Sequence, residues 1–129
     1  MAARSRAQYF ARFREEVASY AEGVHELGPP GRATELASLP EEFASFLRSF
    51  DGARLFVDAY TIFPAALLRR RDDLLVFGET ASGDELALDL TTEPPAVVRL
   101  EADTEERLVE GTSFARWLEA TIVADGALH

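Results

Sequence analysis

The chain has 129 residues and a mass of 14.2 kDa, about the size of one ordinary domain, and two independent cores would be a stretch. Its 47% hydrophobic and 28% charged residues exclude a wholly disordered chain. With 13 basic against 23 acidic residues the net charge is -10, which argues against direct nucleic-acid binding and favours a basic protein as partner.

The first periodic segment spans about 5–26. Phe10, Phe13, Val17, Tyr20, Ala21 and Val24 recur at steps of three or four, which predicts one helical stripe. Gly28-Pro29-Pro30-Gly31 stops it, because proline removes donors and glycine loosens the chain. A second helix follows. Ser38-Leu39-Pro40-Glu41 offers a capping box, Phe43, Phe46, Leu47 and Phe50 form the buried stripe, and Gly52 supplies a left-handed stop.

From Arg54 the pattern changes. Residues 54–63 read as a strand halted by Pro64, and Ala65 to Arg71 as a short helical turn or loop whose three arginines stay in water. Asp73 to Gly78 is an apolar run of strand length, and Ala81-Ser82-Gly83-Asp84 is turn chemistry. Leu86, Leu88 and Leu90 then alternate with Glu85, Ala87 and Asp89, the period of a strand wet on one face. Pro94-Pro95 interrupts before a strand over Ala96 to Leu100. Thr112 or Ser113 caps a last helix with Phe114, Trp117, Leu118 and Ile122 as its apolar positions. Helix, helix, strands, helix predicts an α+β fold, an antiparallel sheet flanked by helices. No internal repeat or low-complexity tract interrupts it, and one domain over 1–129 is expected.

These landmarks carry a resemblance. Leu39-Pro40-Glu41-Glu42-Phe43-Ala44-Ser45-Phe46-Leu47 followed by Asp51-Gly52 resembles the opening signature of the SUKH superfamily, the Smi/Knr-type domain. Leu75-Val76-Phe77-Gly78, Ser82-Gly83-Asp84 and Leu86-Ala87-Leu88-Asp89 are similar to its strand, Gly-Asp turn and strand. Ser113-Phe114 with Trp117-Leu118-Glu119 is similar to its closing helix. Asp51 stands where asparagine is usual, and Trp117 where phenylalanine is. The likeness covers roughly Leu39 to Ala124, with the N-terminal helix as an extension. It implies an α+β sheet flanked by helices and, for many members, an immunity protein that neutralises a co-encoded toxin, often a nuclease; other members are scaffolds or regulators in signalling.

Chemistry is sparsely provided for. Without cysteine there is no disulfide, thiolate metal site or cysteine nucleophile. His25 and His129 are the only histidines, and His25 is expected near the end of the first helix, where the dipole favours imidazolium. Nucleotide-binding glycine loops, a nucleophile elbow and a His-Glu-x-x-His pattern are all missing from the sequence. Neither a catalytic residue, a cofactor nor a metal is expected. Asp51, Asp58, Asp72, Asp73, Glu79, Asp84, Glu85 and Asp89 lie within or between the predicted strands, and three readings compete for them. They form a solvated surface, a face that steers a basic partner and pairs with its arginines and lysines, or a metal site; regular calcium-loop spacing is missing. Asp89 either faces solvent or caps a turn. Arg69-Arg70-Arg71 is a solvated turn or a clamp on an acidic partner loop.

Met1 to Arg14 has no apolar run like that of a secretory signal, and no run of about 18 apolar residues occurs. A soluble cytoplasmic protein with no membrane partner is expected. All 13 basic residues are arginine and both lysine and asparagine are absent, a usage that points to a GC-rich, bacterial genome. The leading expectation is a non-catalytic module, an immunity protein occluding the active site of a basic toxin domain. The alternatives are an intracellular scaffold or regulator holding an endogenous signalling or assembly partner, and a small hydrolase using paired carboxylates. The oligomeric state stays open.

Overall fold

The computed structural model describes residues 6–21, 23–32, 36–104 and 106–128. Among them, helices α1 (Arg6–Ala18), α2 (Glu41–Ser49) and α3 (Phe114–Leu128) pack on one face of an antiparallel eight-stranded sheet. In chain order its strands are β1 (Glu26–Leu27), β2 (Ala53–Leu55), β3 (Tyr60–Ile62), β4 (Arg69–Arg71), β5 (Leu74–Thr80), β6 (Glu85–Asp89), β7 (Ala96–Leu100) and β8 (Arg107–Gly111). The path is β1-β2-β3-β5-β6-β7-β8, and β4 continues along the edge of β5 that β3 begins. The fold is α+β, as the element order predicts.

The helices bury what their periodicity says they bury. Phe43, Phe46 and Leu47 of α2 are fully enclosed. Phe46 is the hub, its ring 5.5 Å from Phe10, 5.6 Å from Phe13, 5.5 Å from Phe50 and 5.2 Å from Phe114. Edge-to-face and tilted contacts of this kind add to the area term. Below them the sheet offers Leu55, Ile62, Phe77, Leu86, Leu88 and Val97. Phe114, Trp117 and Leu118 of α3 complete this core; the Ile122 side chain lies outside the described residues.

Several boundaries differ from the sequence reading. The first helix ends at Ala18, where Ser19 turns back to bond Glu16 through both its N–H and its hydroxyl. Tyr20 and Val24 still pack on the core, but from a turn, so their helical spacing overextended the helix. His25 therefore sits at no helix terminus. Its Nδ1 accepts the Phe56 N–H at 3.1 Å, which requires an unprotonated nitrogen there, and its ring contacts Tyr20 and Phe56. The capping box at Ser38 is absent. Pro40 occupies the cap position of α2 without a side-chain bond, and Glu41 and Glu42 face the positive helix end. Phe50, in extended conformation, closes that helix, and Gly52 follows two residues later at φ 96°.

Residues 54–63 form a hairpin rather than one strand. Phe56 and Val57 take φ of 52° and 64° and reverse the chain between β2 and β3. Left-handed backbone at two such residues is unfavourable, so its position is not written in glycine or asparagine. Three bonds and contacts hold it: Val57 N–H to Val24 carbonyl at 2.6 Å, Phe56 N–H to His25, and the Phe56 ring in the core. The three arginines are strand β4, still exposed, and β8 is a strand that no sequence signal announced. At Gly78 a side chain would strike the Thr61 backbone carbonyl, so glycine there permits β3 to approach β5.

At α3 the expected cap is Ser113, whose hydroxyl accepts the Arg116 N–H at 3.2 Å while its carbonyl accepts Trp117 N–H. The next free N–H, that of Ala115, is taken by the Glu42 carboxylate at 2.7 Å. One helix thus neutralises the start of another. Replacing Glu42 with alanine is expected to destabilise the protein by about 1–2 kcal/mol. Urea unfolding checks it; an unchanged midpoint would show that the bond contributes nothing.

Candidate functional site: the helix-free face and the acidic end of the sheet

Strand alternation sends a second set of side chains to the face opposite the helices. Leu74, Val76, Ala87 and Val98 form a small buried cluster there, with Phe63 and Leu100 packed beside it. Ala87 is buried too, so β6 is covered on both faces and is not wet on one, as its alternation suggested. Leu90 falls just past its end. The Arg69 guanidinium lies over the Phe63 ring, 6.0 Å from its centroid, so arginine stems help to roof this cluster. Arg69 and Arg71 also reach Glu85 at 2.7 and 3.1 Å. Glu79 stands directly opposite Glu85 in the ladder, and those two arginines offset the like-charge contact.

The pairing register sorts the eight predicted carboxylates. The β5–β6 turn, the β7–β8 turn and the β2–β3 turn lie at one end of the sheet. Ala102 N–H bonds the Asp84 carboxylate at 3.1 Å, and Ala81 N–H bonds the Ala59 carbonyl at 3.1 Å. Asp58, Glu79, Asp84 and Glu85 therefore gather there. Asp72, Asp73 and Asp89 are at the opposite end, since Leu74 pairs with Asp89. Asp51 is elsewhere again, at the exit of α2. One continuous face of eight carboxylates does not exist.

Their partners divide them further. Asp51 accepts the Ala65 N–H at 2.8 Å and so fastens the helix exit to the short 3-10 turn Ala65–Leu67. Asp84 spans Ala102 N–H and Arg99, the latter at 3.6 Å, while Arg99 Nε lies 2.6 Å from Glu110. Asp89 caps the turn after β6, accepting Thr91 N–H at 2.9 Å and Thr91 hydroxyl at 2.6 Å. Those two bonds hold the Asp89 pKa below the usual carboxylate range. Asp58 meets Arg54 at 2.6 Å, and the hydrogen bond and charge of Asp58, with the charge of Glu26, raise the pKa of that guanidinium. Asp72, in a left-handed turn position, Asp73 and Glu79 are exposed.

The Asp89 cap carries a pH prediction. A carboxyl whose folded pKa is depressed contributes stability above its unfolded pKa, about 4, and loses it as pH falls through the folded value. Thr91→Ala removes the hydroxyl bond and keeps the N–H one, so it is expected to move the Asp89 titration part of the way back up toward the ordinary carboxylate range, read from its carboxyl carbon by NMR. An unmoved titration would show that the Thr91 hydroxyl does not hold the charge.

Sequence reasoning missed the carboxylates that the β7–β8 turn adds to the acidic end. Glu101, Asp103 and Glu106 join Glu79, Asp84 and Glu85 there, and only an alternation in β8 could have announced them. Glu79, Glu85 and Glu101, with Arg71, Leu74 and Arg107, border an open cleft of about 600 Å³ on the helix-free face. Among the described residues no three His, Asp or Glu side chains converge to hold a metal ion. No described helix is long and apolar enough to cross a membrane. No protein-family model matches the chain, and neither does any curated protein.

Proposed function

We propose that this chain is a non-catalytic protein-binding module of the immunity type. It neutralises a basic toxin domain by seating the acidic end of its sheet over the toxin's active-site cleft and excluding substrate. The observation that carries this reading is the convergence of the β5–β6 and β7–β8 turns, which gathers Glu79, Asp84, Glu85, Glu101, Asp103 and Glu106 at one end of the sheet, with Glu79, Glu85 and Glu101 bordering an open cleft, in a chain of net charge -10. The resemblance to SUKH domains along Leu39 to Ala124 supports it further. So does the engagement of Asp51, Asp84 and Asp89 in backbone bonds, which leaves them poorly suited to proton transfer. An interface of about 1,600 Å² is enough for tight binding when its anchors are good.

The test is growth of bacteria expressing the product of the adjacent gene, with and without this chain. Restored growth is expected. Unrelieved toxicity, or recovery of an endogenous assembly or signalling protein in a pull-down from the native host, would favour the scaffold role instead.

A further inference from the structure

Among the described residues the outermost strand at one side of the sheet, β8, pairs only with β7. Glu101 N–H donates to Glu106 carbonyl at 3.0 Å across that ladder, so these two residues form a hydrogen-bonded pair. Antiparallel alternation then turns Leu108 toward β7 and leaves the N–H and C=O groups of Arg107 and Val109 pointing away from the sheet. Nothing among the described residues covers them. Val109 is 72% exposed and Leu108 41%, two of the four large apolar side chains that the described residues leave open. Natural edges are usually shortened, bulged or screened; this one is short and shifts register after Val109, yet it presents two adjacent apolar residues beside unpaired backbone.

We infer that β8 is the docking edge for an extended, basic segment of the partner protein, which adds to the sheet as a ninth strand. The inference rests on the protein-binding reading and says how the partner is held. Backbone bonds to Arg107 and Val109 supply the register, Leu108 and Val109 take apolar side chains on the two faces, and lysine or arginine at the flanking positions meets the acidic surroundings. Those surroundings are Glu101, Asp103, Glu106 and Glu110, against Arg107 on the strand itself and Arg99, which is already paired with Glu110.

A second copy of this chain fits badly. Antiparallel self-pairing centred on Leu108 sets Glu106 against the other copy's Glu110, pairing centred on Arg107 sets arginine against arginine, and pairing centred on Val109 sets Leu108 against glutamate. Like charges directly opposed destabilise a ladder. The same charges that discourage self-association select a cationic strand.

The probe is a blocked peptide alternating lysine and valine over seven residues, compared with the same peptide N-methylated at alternate positions. Hydrogen exchange followed by NMR is expected to show the amides of Arg107 and Val109 slowed at least tenfold by the first peptide. The N-methylated peptide, with the same charge but fewer donors, is expected to bind at least tenfold more weakly. Val109→Pro removes one outward N–H at an edge, where proline is tolerated, and is expected to abolish that protection while leaving Tm within a few degrees. Equal binding of the two peptides, no binding at about 1 mM, or protection confined to the cleft beside Glu79 would overturn the edge-strand assignment. If Val109→Pro unfolds the chain, Val109→Lys replaces it, setting a like charge against the lysine peptide on the edge, and retained peptide binding there equally counts against the proposal. Growth rescue that survives these variants would discard the edge and keep the immunity reading; failure of the unaltered chain to rescue growth, with its β8 amides still protected by the peptide, would discard the immunity reading and keep the edge.

Discussion

Truncating Phe46 to alanine is expected to destabilise the protein by about 3–5 kcal/mol, the range for an enclosed phenylalanine in a rigid core. The ring is fully buried and touches Phe10, Phe13, Phe50 and Phe114, so its removal opens a void between all three helices at once. No single neighbour can swing in to fill it, since Phe43, Phe77 and Trp117 are held by their own ring contacts to Phe114. For a domain of this size the fall in Tm should be roughly 10–20 °C. Domains are stable by only about 5–15 kcal/mol, so function assays on this variant report unfolding. Calorimetry and urea unfolding measure the effect, and a loss below about 1 kcal/mol would mean that the aromatic hub is loosely packed.

Reversing charge at the acidic end should act in the opposite way, on binding and hardly on folding. Glu79→Arg with Asp103→Arg changes two exposed residues with no assigned bond, and the first would set an arginine opposite Glu85. Stability is expected to stay within about 0.5 kcal/mol, as for surface substitutions in general. Each reversal replaces an attraction to a basic partner with a repulsion. For two sites near an interface that amounts to roughly 3 kcal/mol, or about a hundredfold weaker binding. Protection of cells against the adjacent gene's product should be lost accordingly. Full protection by a folded double variant would place the interface elsewhere on the chain.

How far the sequence carried this account depends on the kind of signal. Helix α2 was legible because Phe43, Phe46 and Leu47 are both periodic and buried, and α3 because Ser113 caps a stripe that packs on it. β5 and β6 were legible as an apolar run and an alternation joined by Gly83, whose φ is 92°. The β2–β3 hairpin was hidden because Phe56 and Val57 adopt left-handed conformations that their side chains disfavour, and tertiary bonds from Val24 and His25 decide the matter. β4 and β8 were hidden for a different reason. Arg-Arg-Arg and Arg-Leu-Val-Glu-Gly have little buried surface, so no hydrophobic pattern marks them and only the neighbouring strand gives them their shape. The candidate site suffered most, because its carboxylates are brought together by turns whose registers depend on those strands. Asp51 and Asp84 look like free charges in a sequence and accept backbone N–H groups in the fold, whereas the turn cap at Asp89 was one of its two sequence readings.

Electrostatic steering is the part of the account most exposed to measurement. If a negative sheet end draws a basic toxin onto itself, association followed by stopped-flow against the copurified partner should slow at least tenfold between about 50 and 500 mM salt, while dissociation changes little. The partner's turnover should stop in step with complex formation. An association rate indifferent to salt, or a partner that keeps full activity inside the complex, would contradict the claim that this surface works by charge and occlusion.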